Sequence, residues 1–155
     1  MTLVSLPAMA TDVGVLDWRQ ALMSSQSAQA SMNQLKNRIG PQQKQAEALG
    51  QQLQQLQEKL QKNGDVMSES ERNAVTQQLR QKGGQFQQLR GQIAQAQQQA
   101  EQQYLKGAKP KLDQAIQRVV KQRGLDMVVD RDAVVYSGDS LDITNEVTKI
   151  FNSLN

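Results

Sequence analysis

The chain of 155 residues contains neither cysteine nor histidine. That excludes disulfides, Cys/His zinc sites and every histidine-based catalytic triad. Aromatic residues are 3% of the chain and hydrophobic residues 37%, too few for a compact core of ordinary size. No stretch approaches the roughly 20 apolar residues of a membrane-spanning helix. Gly83-Gly84 is not followed by the Gly-Lys-Ser/Thr of a phosphate loop, so no ATP-driven mechanism is visible. Asp126, Asp130 and Asp132 are clustered but lack the ligand spacing of an EF-hand; they read as strand-end and turn residues. The sequence therefore offers no catalytic residue, no metal site and no cofactor, and it does not read as an enzyme.

What the chain does contain is a long, glutamine-rich helical hairpin from about Gln34 to Lys109. Its outward limb carries Ile39, Ala46, Leu49, Leu53, Leu56 and Leu60, mostly in alternating steps of three and four, the spacing of a coiled-coil seam. The return limb repeats the rhythm with Val75, Leu79, Phe86, Leu89, Ile93, Ala96, Ala100 and Tyr104. This periodicity argues for helix despite the low-complexity composition. Asn63-Gly64-Asp65 marks the tip, and Ser68 to Glu71 forms a capping box for the return helix. Gly40-Pro41 should kink or divide the first limb, and Gly107 with Pro110 should break or kink the second. Gly83-Gly84 weakens the helix at mid-arm and is either a flexing point or a site of close helix approach.

Outside the hairpin lie shorter elements. Val13 to Leu16 reads as a strand, followed by one helix from about Arg19 whose stripe is Ala21, Leu22, Ala28, Met32 and Leu35. Lys111 to Arg123 is helical, with Gly124 placed to end it. Leu125 to Val129 and Ala133 to Tyr136 read as two further strands, and Asp142 as the cap of a last helix. An antiparallel hairpin returns the chain to its start, so the three strands should form one small sheet. Such a head has open edges and should associate with other copies.

The ends and the charge add context. Residues 1–10 end in Ala8-Met9-Ala10, which reads as a residual signal-peptide segment with cleavage before Thr11. From Lys36 to Lys111 there are 12 basic against 6 acidic residues, and elsewhere 6 against 9. A basic arm suits acidic protein, anionic lipid or nucleic acid; export and the lack of stacking aromatics argue against nucleic acid. Met23, Met32, Val66 and Met67 are the candidates for contact with varied partners, because methionine adapts its shape and a tip residue has few neighbours.

Val13-Gly14-Val15-Leu16-Asp17, the long polar hairpin, Leu125 to Asp130, Ala133 to Tyr136 and Asp142-Ile143-Thr144 together resemble the Skp (OmpH-like) periplasmic chaperone family. The resemblance spans essentially all of residues 11–155, read as a single chaperone domain. It implies an α+β fold with a head (11–22 and 111–155) and a coiled-coil arm (about 23–110). Three heads would build a barrel-like trimeric body whose arms enclose a cavity. It further implies a periplasmic, ATP-independent holdase that binds unfolded outer-membrane proteins. Lys82 and Arg90 match basic positions linked to lipopolysaccharide or anionic membrane surfaces, while two further basic positions of the family are Gln92 and Ile93 here. The competing reading of the arm is a structural coiled-coil adaptor or spacer of the envelope.

Overall fold

The computed structural model describes residues 10–154. The signal-peptide reading of residues 1–10 therefore lies, apart from Ala10, outside the described residues. In chain order the elements are β1 (Val13–Leu16), α1 (Trp18–Met23), α2 (Gln26–Asn63), α3 (Glu69–Arg123), β2 (Met127–Asp130), two 3-10 turns (Arg131–Ala133 and Asp139–Leu141) and α4 (Thr144–Ser153). They form two compact units. One combines residues 10–31 and 103–154 (the terminal unit); the other is residues 32–102 (the hairpin unit).

Serine and aspartate chemistry sets the first boundaries. The Asp17 side chain accepts from Gln20 N at 2.8 Å and starts α1. The single helix expected from Arg19 through Leu35 is interrupted at Ser24-Ser25. At the break Ser25 N and Ser25 Oγ both donate to Leu22 O, and Gln26 N, which a continuous helix would direct to that carbonyl, donates instead to Asn152 Oδ1 at 3.0 Å. Ser25 Oγ then accepts from Ala28 N at 3.1 Å and opens α2 as a cap.

Neither proline divides its helix. Pro41 lies within α2 and Pro110 within α3, and both helices run through. Both prolines are exposed, so water can solvate the carbonyl each leaves unpaired, and the intact turns on either side carry the helix past it. The expected break at Gly107 and Pro110 is thereby corrected. α3 ends at Gly124, whose φ of 65° allows Leu125 N to reach back to Val120 O at 3.0 Å, a Schellman closure.

β1 and β2 pair in parallel, with Val13 opposite Met127 and Leu16 opposite Asp130. Gly14 permits close packing here, since a Cβ would lie 2.8 Å from Leu125 Cδ1. On its other edge β1 meets Asp142-Ile143, through a bridge at Val15 and an Ile143 N–H donated to Val15 O at 2.9 Å. The three-stranded sheet is thus a correction: Ala133 to Tyr136 is not a strand. Asp130 Oδ1 accepts from Asp132 N at 3.0 Å and Val134 N donates to Arg131 O. That turn draws the chain away from β2, and β1 already has both edges occupied. A β-forming segment without a partner backbone stays irregular.

The core of the terminal unit lies between α1, the C-terminal part of α3 and α4. Leu16, Leu22, Leu112, Val119, Ile143, Val147 and Phe151 are buried together, with Trp18, Tyr104 and Leu125 packed against them. The cap position of α4 is Ile143, one residue after the expected Asp142, but Asp142 Oδ1 does accept from Thr144 N at 2.9 Å.

Candidate interaction surfaces

In the hairpin unit the seam follows from the heptad rhythm. Ile39, Ala46, Leu49, Val75 and Leu89 are buried, whereas Leu53, Leu56, Leu60, Leu79, Phe86 and Ile93 are half-buried. The register is antiparallel: Arg38 Nη2 reaches Ala96 O at 3.4 Å, Lys82 Nζ donates to Gln52 Oε1 at 2.6 Å, and Gly50 lies against the Phe86 ring. That register brings Leu53 level with Gly83. A Cβ at Gly83 or Gly84 would meet nothing within 4 Å, so neither glycine serves a close approach, and the seam is thin at this level. Of the chain's 29 glutamines, 22 fall in residues 32–102, so most of the polar surface is neutral.

The tip closes as the sequence requires. Gly64 N and Met67 N donate to Leu60 O and Asn63 O. Ser68 N donates to Glu71 Oε2 at 2.9 Å, and Glu71 N donates to Ser68 Oγ at 3.2 Å. These are the two halves of a capping box. The hydrogen bonds from the Ser68 backbone and then its hydroxyl hold the Glu71 carboxyl below its ordinary value.

The candidate residues fall at separate places. Val66 is 85% exposed at the tip and its neighbour Met67 is half-buried. Met32, 56% exposed, lies about 46 Å from the tip along α2 at 1.5 Å per residue. Met23, also exposed, ends α1 in the terminal unit. Lys82 and Arg90 are eight residues apart on α3, about 12 Å along its axis. Lys82 is tied to Gln52, and the Arg90 guanidinium sits 5.7 Å from the Phe86 ring centroid. They do not converge on one point.

Two surfaces were not singled out by sequence. In the terminal unit an apolar groove of about 600 Å³ is lined by Leu16, Trp18, Leu22, Leu105, Leu112, Ile116, Val128 and Val129. Trp18 Nε1 donates to Asp130 Oδ2 at 3.1 Å at its rim, and Arg19 lies over the Trp18 ring while pairing with Asp132 at 2.9 Å. Asp126 accepts from Asp12 N, so the three clustered aspartates each hold a different partner, as turn and strand-end residues do. Nearby in sequence, Val135 and Tyr136 are almost fully exposed and Ser137 Oγ is buried without a hydrogen-bond partner. The second surface is a groove in the hairpin seam beside Phe86. The signal for it was present: α2 has no apolar residue between Ile39 and Ala46.

A two-helix hairpin joined to a small mixed unit, with polar flanks and uncovered apolar grooves, is an architecture suited to binding. Comparison makes the class specific. Residues 12–151 match the model of the family described as outer membrane protein (OmpH-like), and the chain belongs to that family. It is similar to a Skp-like protein of Pseudomonas aeruginosa, 34% identical over 142 residues that cover 92% of this chain and 84% of the relative. It is also similar to the chaperone protein Skp of Photorhabdus laumondii, 26% identical over 146 residues, covering 94% and 88%. An OmpH-like protein of Caulobacter crescentus has the same fold, with a TM-score of 0.61 at 20% identity over 100% of this chain and 91% of that one. This kinship supports a chaperone role and a non-enzymatic protein, and it bears out the resemblance read from the sequence.

Proposed function

We propose that the protein is an ATP-independent periplasmic holdase for unfolded outer-membrane β-barrel proteins, acting as a homotrimer. The observation that carries this reading is membership of a chaperone family by a chain whose hairpin covers its apolar seam only in part and shows clients a mostly neutral, glutamine-rich surface around it. Many weak contacts of that kind hold a chain by multivalency while leaving each one exchangeable. Val66, Met67, Met23 and Met32 are client contacts in this scheme. Lys82 and Arg90 attract acidic clients, lipopolysaccharide or an anionic membrane surface, and Gly83-Gly84 is the point at which the arm flexes.

Association through the terminal unit is supported by three features. The Val134 to Tyr136 segment has strand-forming side chains and no partner strand, the Ser137 hydroxyl lacks a partner, and an apolar groove stands open. A second copy that pairs with the segment and covers the groove would satisfy all three. Solution mass tests this directly: a trimer is expected, and a monomer would overturn it. The holdase reading is tested by light scattering of an unfolded porin diluted from denaturant. One trimer per client should suppress aggregation. Unchanged scattering, together with recovery of one stoichiometric partner from envelope extract, would favour the adaptor instead.

A further inference from the structure

The groove beside Phe86 has a volume of about 400 Å³. It exists because the seam residue Ala46 and the flanking residues Gly50 and Ala94 are all small, so no long side chain covers the seam here. Phe86, the one aromatic residue in 32–102, therefore presents part of its ring to the groove instead of being sealed. A Cβ at Gly50 would stand 3.6 Å from Phe86 Cε2. The Arg90 guanidinium lies over the same ring, and Gln43, Glu47 and Gln97 stand around the groove.

We infer that this groove is a socket for single aromatic side chains, tyrosine above all, projecting from extended segments of client chains. The inference rests on the holdase reading, since it names what the arm recognises in its clients. Transmembrane β-barrels carry girdles of aromatic residues at both membrane interfaces. An extended strand turns every second side chain to one side, so one ring enters while the strand backbone lies over the carboxamides of Gln43 and Gln97. The ring meets the Phe86 ring in an offset or edge-to-face arrangement and shares the Arg90 cation. A phenol hydroxyl adds a donor for the Glu47 carboxylate. An aliphatic side chain of similar size gains the burial but none of these contacts.

The test uses the full-length protein and three fluorescent 14-residue peptides, identical except for a central Tyr, Leu or Ala. Binding is read by anisotropy. The Tyr peptide should bind about fivefold more tightly than the Leu peptide, the ratio expected for one aromatic pair. Gly50→Leu fills the groove from the opposite helix, and Phe86→Leu keeps an apolar seam residue while removing the ring. Both should abolish the Tyr preference with helicity by circular dichroism unchanged. Equal binding of the Tyr and Leu peptides to the native protein overturns the socket, as does a preference that survives Gly50→Leu. The porin aggregation assay runs in parallel. Suppression without an aromatic preference removes the socket alone. An aromatic preference without suppression keeps the socket and removes the holdase reading.

Discussion

The terminal unit and the hairpin unit bury their apolar residues in different ways. In the terminal unit helices and strands meet from several sides, and Ala115, Val119, Ile143, Val147 and Phe151 lose essentially all contact with water. In the hairpin unit two helices share one seam, and most of its leucines stay half-exposed. A seam of two helices covers only one stripe on each, so its side chains keep a wet flank however regular the heptads are. Helices in proteins gain most of their stability from such packing, being marginal when isolated. The hairpin unit should therefore open locally at lower free energy than the terminal unit. For a binding surface that must exchange partners, this softness is useful; for an assembly base, the denser core is.

The largest effect should come from the denser side. Phe151→Ala removes a fully buried ring at the centre of the core, which costs about 3–5 kcal/mol. Urea unfolding should show that loss, and hydrogen exchange should show protection falling in α4 and β1 relative to the native protein while the hairpin helices keep theirs. An equal fall in the hairpin helices would mean that the two units do not open separately, and the contrast between them fails. A smaller effect belongs to Ser25→Ala. This hydroxyl is buried, accepts from Ala28 N and lies 3.0 Å from the Tyr104 hydroxyl. Losing a cap and leaving partners unpaired costs about 1–2 kcal/mol. Tyr104→Phe keeps the cap and should cost less, a comparison read from the same unfolding curves.

On the softer side the expected sign reverses. Gly83→Ala and Gly84→Ala add methyl groups that meet nothing within 4 Å, so each should stabilise α3 by about 1 kcal/mol through helix propensity alone. Thermal melts followed by circular dichroism check the direction. If Gly83-Gly84 is a flexing point, the double variant should also accept a narrower range of client sizes. A stiffer arm with an unchanged range would remove that role.

The contrast also explains what could be read in advance. The hairpin was legible almost to its caps, because a heptad, a tip glycine and a Ser68-Glu71 box are local signals. Proline was misleading in both helices, since a single lost hydrogen bond on an exposed face does not stop a helix whose other turns are intact. The sheet was misjudged for the opposite reason. Val134, Val135 and Tyr136 have strand-forming side chains, but strand formation needs a neighbouring backbone. Whether β1 still had a free edge depended on Asp142-Ile143, more than a hundred residues away in the chain. The groove at Phe86 was visible only as missing apolar residues, and its depth depended on a register that hydrogen bonds such as Lys82 to Gln52 reveal.

The smallest effect separates the two units by pH. The Asp142 carboxyl is held below its ordinary value, first by the Thr144 hydroxyl, then by the Thr144 backbone N–H, with Arg131 adding to them against partial burial. Arg131 lies 3.3 Å away. A carboxyl lowered in the folded state stabilises it fully above the unfolded value, about 3.9 for aspartate. That contribution is lost as pH falls through this value toward the lower folded one. Stability of the terminal unit should thus decline from about pH 4 downward. Asp142→Asn keeps an acceptor for Thr144 N but cannot titrate, so it should flatten this part of the decline and already lack at pH 7 the stabilisation that the native carboxylate loses only in acid. Glu71→Gln makes the matching change in the hairpin unit, where the capping box survives because a carboxamide oxygen can still accept from Ser68 N. Melts from pH 5 to pH 3, followed separately at α4 and at the tip by hydrogen exchange, should show each substitution acting on its own unit. If either one flattens the acid response of both, the two units unfold as one and their separation fails.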